Sequence, residues 1–201
     1  MTTIRPMLKV LLVPMLIGIP VITANATIFS YEAFLTGPNE SPPNASPATG
    51  FALVDYDNVL HTSMVDVTFS GLLGTTTASH IHAPTASPGT STAGVATTTP
   101  YFTGFPIGVT SGTYSNTLDV TSSSSWNPAY VTANGGTTAG AEAALAAAMA
   151  AGEAYLNIHS TVVPGGEIRG FLEAVPEPSA AALLGLGAAI MAWAGRRRSS
   201  V

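Results

Sequence analysis

Cysteine is absent from the 201-residue chain. No disulfide can staple the fold, and no thiolate can serve as nucleophile or metal ligand. A metal would have to be held by His, Asp or Glu. Charge is almost as scarce. Charged residues make up 8% of the chain, against roughly 25% in ordinary soluble domains. Positive charge is the scarcest, with six basic residues, Arg5, Lys9, Arg169, Arg196, Arg197 and Arg198, of which five lie near the ends. Between Glu32 and Glu177 stand eleven carboxylates against the single cation Arg169, a formal charge of −10. Such a segment cannot neutralise phosphates, which excludes nucleic-acid binding, and anionic lipid surfaces would repel it. A phosphate-binding glycine loop and a Gly-X-Ser-X-Gly elbow are also missing.

What is present begins with two targeting segments. Residues 1–26 read as a signal peptide, with Arg5 and Lys9 ahead of an apolar run from Val10 to Ile22. Ala24 and Ala26 are the small residues signal peptidase requires, which places cleavage after Ala26. Residues 175–201 carry Pro176-Glu177-Pro178, an uncharged apolar stretch over 180–195, and the cluster Arg196-Arg197-Arg198. The stretch is short for a transmembrane helix but spans with help from its flanks, and the arginines favour the cytoplasmic side. Motif, apolar helix and arginine cluster in this order closely resemble the PEP-CTERM sorting signal of Gram-negative bacteria. The resemblance implies export across the inner membrane to the cell envelope, the cell surface or the medium. It also implies processing by an exosortase and membrane association, transient or permanent, through the C-terminal helix.

Residues 27–174 predict an all-β domain, an antiparallel β-sandwich with one short Ala-rich helix. Ile28–Leu35, Phe51–Tyr56, Val59–Ser70, Tyr114–Val120, Ala154–His159 and Glu167–Glu173 are candidate strands. Val65, Val67 and Phe69 alternate with Met64, Asp66 and Thr68, the period of a half-buried strand. Asp57-Asn58 reads as a hairpin turn, and Pro164-Gly165-Gly166 as the turn of a closing hairpin. Thr138–Ala151 reads as the helix, with Thr137 or Thr138 at its N-cap and Gly152 as its stop. Residues 83–113, rich in Ser, Thr, Gly and Pro, predict long loops.

The motifs Glu40-Ser-Pro-Pro43, Ser46-Pro-Ala-Thr-Gly50, Ser79-His-Ile-His-Ala-Pro84, Tyr155-Leu-Asn-Ile-His-Ser160 and Pro164-Gly-Gly-Glu-Ile-Arg-Gly170 follow one another along the chain. Together they resemble the CHRD domain over about residues 29–173. The resemblance implies an extracellular β-sandwich module, immunoglobulin-like or superoxide-dismutase-like, and no defined reaction. It points to a non-enzymatic exported module for binding or adhesion, with extracellular polysaccharide or envelope proteins as partners.

Three histidines could carry chemistry. His80 and His82, two apart on a strand, point to one face. His159 ends another strand, whose face it shares with Tyr155 and Asn157. If the two faces meet, three nitrogens converge on one copper or zinc ion. The competing reading is a buried hydrogen-bonded network, with Glu40 or backbone groups as partners. The arrangement is also similar to copper–zinc superoxide dismutase, but that family's bridging-histidine loop and disulfide have no counterpart here. Arg169 alternates with Glu167 and Phe171, and Glu40 and Glu167 are its candidate ion-pair partners. Asp55 and Asp57 share a face that either holds Ca²⁺ or ends a solvated hairpin. His61 is expected to be exposed and is assigned no role.

Overall fold

A computed structural model describes residues 28–176. The signal-peptide residues, Ala24 and Ala26 among them, and the sorting segment from Glu177 through Pro178, the apolar stretch 180–195 and Arg196–Arg198 lie outside the described residues. Pro176 is described and exposed. No helix among the described residues is long and apolar enough to cross a membrane.

The fold is all-β and antiparallel. Its strands are β1 (Ile28–Thr36), β2 (Thr49–Asp57), β3 (Thr62–Ser70), β4 (Thr76–His82), β5 (Gly112–Asp119), β6 (Tyr155–Ser160), β7 (Ile168–Phe171) and β8 (Glu173–Ala174). They form one hydrogen-bonded path in the order β4-β6-β7-β1-β2-β3-β5, with β8 also pairing β1. β1 and β2 pair over their full length, whereas β1 meets β7 only through Thr36 and Arg169. The sheet curls, and both halves feed one core, with Val54, Val65 and Val67 from one side and Ile81, Leu156, Ile158 and Ile168 from the other.

The alternation predicted for β3 is present. Val65, Val67 and Phe69 are buried while Met64 and Thr68 are exposed. Val59 and Leu60 are not part of that strand. Asp57 Oδ1 accepts the N–H groups of both, at 2.8 Å each, so the turn is longer than two residues and His61 leaves it with φ of 53°. The Asp57 carboxylate is thus engaged in ending the hairpin. The last expected strand is divided. Leu172 turns its N–H to Ala154 O, and β8 leaves β6 to pair with β1.

Two α-helices among the described residues precede β6. α1 (Pro128–Ala133) is an addition to the sequence expectation, although Asn127-Pro128 carries a start signature. Asn127 Oδ1 accepts from Ala129 N, and Pro128 sits at the first helical position. α2 (Thr138–Ala150) matches its expected span. Thr137 Oγ1 caps it by accepting from Gly140 N, and Gly152 follows at φ of +69°. Ala141, Leu145 and Ala148 form its buried stripe. Glu142, also buried, accepts from Tyr56 Oη at 2.7 Å and lies 2.9 Å from His61 Nδ1. His61, left without a role by sequence, therefore ties α2 to the β2–β3 turn while staying half exposed.

Residues 83–111 run as a long loop held by isolated bridges such as His82 to Val95 and Thr97 to Trp126. This loop lies over β6, where the Ala93 N–H reaches Tyr155 Oη at 3.4 Å, and the β1–β2 connection reaches β7 through Asn39 O and Arg169. β6 is buried on both faces, with Leu156, Ile158 and Ser160 toward the apolar core and Tyr155, Asn157 and His159 on the opposite face.

Candidate metal centre

The polar face of β6 continues across its neighbours. Register pairs His82 with Tyr155, His80 with Asn157 and Ala78 with His159 on the β4 side. On the β7 side Tyr155 meets Phe171 and Asn157 meets Arg169. Side chains directly opposite share a face, so a grid forms with Asn157 at its centre. Ala78 leaves room beside His159, whose ring turns diagonally toward His80. Ring centroids lie 4.9 Å apart for His80 and His159, and 4.6 Å for His80 and His82. One ligand nitrogen from each histidine lies within 4.8 Å of the others. A tetrahedral zinc site needs nitrogens roughly 3.3 Å apart, so the three must draw together by up to about 1.5 Å to hold an ion.

Hydrogen bonds fix the tautomers of two rings. His82 Nδ1 donates to Ala93 O and His159 Nδ1 donates to Pro164 O, each at 2.8 Å. Backbone carbonyls so placed leave Nε2 as the bare lone pair, the arrangement that orients a metal-binding imidazole. Nε2 of His82 and of His159, Nδ1 of His80 and Oδ1 of Asn157 are buried and find no hydrogen-bond partner among the described residues. A histidine network closed within the protein would have satisfied these atoms. Here only the outward nitrogens of His82 and His159 are satisfied, and Glu40 lies with Arg169 instead.

Burial, aided by repulsion from His82 and His159, lowers the His80 pKa to about 3. Burial also lowers those of His82 and His159, against the hydrogen bonds to Ala93 and Pro164 that raise them. All three rings are neutral at pH 7, and binding a cation there displaces no protons from them.

Arg169 borders the grid. Its Nε donates to Asn39 O and its Nη1 to Ser91 O, the latter at 2.9 Å. Its guanidinium stands 4.7 Å from the Tyr155 ring centroid, and that ring stacks on His82 at 4.6 Å and 7°. Of its two expected partners, Glu40 is the one in place, 3.9 Å from Nε. Burial raises the Glu40 pKa to about 7, against the pull of Arg169 and the Ser41 N–H, so the pair is only partly ionised at neutral pH. Glu167 is not paired with Arg169. It precedes β7 at a bend after Gly166, whose φ is +127°, and strand alternation does not reach it. Its carboxylate turns to the core side, where it accepts from Ser46 Oγ and Leu73 N at 2.6 Å, from Gly74 N at 3.4 Å and from Ser160 Oγ. Sequence reasoning missed this cluster because its donors come from three separate segments.

The depressed histidines make the metal-free fold acid-sensitive. Their stabilisation is complete above the unfolded pKa of 6.5 and is lost as pH falls toward the folded values. Glu40 runs the other way, contributing fully below 4.5 and losing its contribution as pH rises to about 7. Each titrating group is worth at most about 1.4 kcal/mol per pH unit, and three groups outweigh one. The melting temperature of the metal-free protein is expected to rise from pH 4.5 to 6.5, then level off. Calorimetry across that range checks it, and a flat profile would contradict it.

The chain matches the family model of the CHRD domain over residues 31–172 and that of the PEP-CTERM protein-sorting motif over residues 174–198. No curated protein and no solved structure matches it. The sorting motif marks the chain for export to the cell envelope or surface and for processing by an exosortase.

Proposed function

We propose that this chain, which belongs to the CHRD-domain family, is a non-enzymatic binding module of the envelope that holds one transition-metal ion, zinc or copper, on His80, His82 and His159. The observation that carries this reading is the set of buried lone pairs facing one another with no donor between them. Buried acceptors without a donor are costly, and a cation at their centre would satisfy all of them at once. Neutral imidazoles suit zinc and copper, and two of the three are already oriented by backbone carbonyls. The site lies under loops, with partial exposure at His159, which favours retention of an ion over turnover of a substrate.

Metal analysis of the purified protein after zinc or copper loading tests this. About one ion per chain is expected at pH 7, falling to near zero in His80→Ala and His82→Ala. Substoichiometric metal that neither substitution changes would overturn the proposal.

A further inference from the structure

We infer that Asn157 is a fourth donor of the histidine site and that its carboxamide oxygen tunes the site toward a divalent ion. The inference rests on the metal reading above. Asn157 sits at the centre of the polar grid, directly opposite His80 on one side and Arg169 on the other. It is 2% exposed, so its side chain has no access to bulk water. Its Oδ1 has no hydrogen-bond partner among the described residues. The register sets its side chain on the face that carries His80, and the His82 ring lies 4.6 Å from that of His80. A structural asparagine at the middle of a buried strand would have its carbonyl oxygen paired. This one instead completes a set of three nitrogens and one oxygen.

The chemistry of the oxygen decides what it adds. Three imidazoles alone accept both copper oxidation states and zinc. Thiolate and thioether ligands, which select Cu⁺, are not part of the set, whereas oxygen donors favour harder, divalent ions. A fourth donor also supplies the four-coordinate geometry zinc adopts in closed structural sites. The strand pairing that holds Asn157 against His80 makes the oxygen a fixed part of the site. The neighbouring Arg169 charge opposes any cation, which increases the dependence on each donor.

Two substitutions read this directly. Asn157→Leu keeps the branched skeleton and removes the oxygen, and Asn157→Asp keeps the oxygen and adds charge. Zn²⁺ and Cu⁺ affinities of the full protein are measured by competition with chelators, alongside the visible spectrum of Co²⁺ loaded in place of zinc. Asn157→Leu is expected to weaken Zn²⁺ binding by roughly 10- to 100-fold, leave Cu⁺ binding within about threefold of the parent, and shift the Co²⁺ bands. Asn157→Asp is expected to tighten Zn²⁺ binding by about tenfold or more and to carry the test should the leucine variant fail to fold. A parent that binds metal while both folded variants keep its Zn²⁺ to Cu⁺ ratio overturns this inference alone. A parent that binds neither ion overturns the metal reading and this inference with it.

Discussion

Arg169→Ala is expected to lower the melting temperature by about 10 °C. The residue is 4% exposed and the substitution removes several contacts at once. Two backbone carbonyls, Asn39 O and Ser91 O, lose their donor. The cation over Tyr155 and Phe171 is lost as well. Glu40 loses the charge opposite it, but its pKa already stands at about 7, so it can take up a proton. The main loss therefore lies in the orphaned carbonyls and the stacked guanidinium, with a smaller part from the ion pair. Each buried carbonyl left without a donor costs about 1–3 kcal/mol, which for two of them with the lost stacking places the total at about 3 kcal/mol. A domain of this size shifts by about 2–4 °C per kcal/mol. Arg169→Lys is expected to recover only part of the loss, because an ammonium cannot reproduce the planar fork that reaches both carbonyls and stacks on tyrosine. A melting temperature within about 2 °C of the parent for the alanine variant would remove Arg169 from the structural account.

Where local signals were strong, the sequence was a good guide. The alternation in β3 survives folding because one face packs on the core and the other meets solvent. Thr137 and Gly152 bound α2 through chemistry that is local to each end. The two-residue spacing of His80 and His82, and the shared face of Tyr155, Asn157 and His159, set each group on one side of its own strand. Whether β4 and β6 would be neighbours, and that Ala78 would stand opposite His159, depended on strand order and register. Spacing along one strand carries no information about either. The cover over β6 was not legible from its own residues. Its polar face is enclosed because the 83–111 loop closes over it. That loop has no periodicity to read, and its carbonyls set the histidine tautomer and hold Arg169. Glu167 was misassigned for a related reason. Alternation placed it beside Arg169, but the positive φ at Gly166 turns the chain just before the strand begins.

Glu167→Ala is expected to destabilise the fold more than any other single change considered, by roughly 4–6 kcal/mol, since each buried donor left unsatisfied costs about 1–3 kcal/mol. The carboxylate is fully buried and accepts from Ser46, Ser160, Leu73 and Gly74. Burial alone would raise its pKa, but the four hydrogen bonds overcome that and hold it below the usual carboxylate value. The group is thus ionised in the folded state at neutral pH. Its contribution is complete above the unfolded pKa of 4.5 and is lost as pH falls through the lower folded value. Glu167→Gln keeps the shape but turns an N–H₂ toward donors, so it is expected to recover little. The damage should also reach the histidine site. Ser160 Oγ, held by Glu167, accepts from Val163 N, and this fixes the turn whose Pro164 carbonyl orients His159. Loosening that turn frees the His159 ring and weakens its hold on a metal ion. Chemical denaturation gives the stability, and zinc competition on the folded fraction gives the affinity. Near-parental stability for Glu167→Gln would mean that the carboxylate charge does not hold these three segments together. Lost stability with unchanged zinc affinity would separate the core cluster from the histidine site.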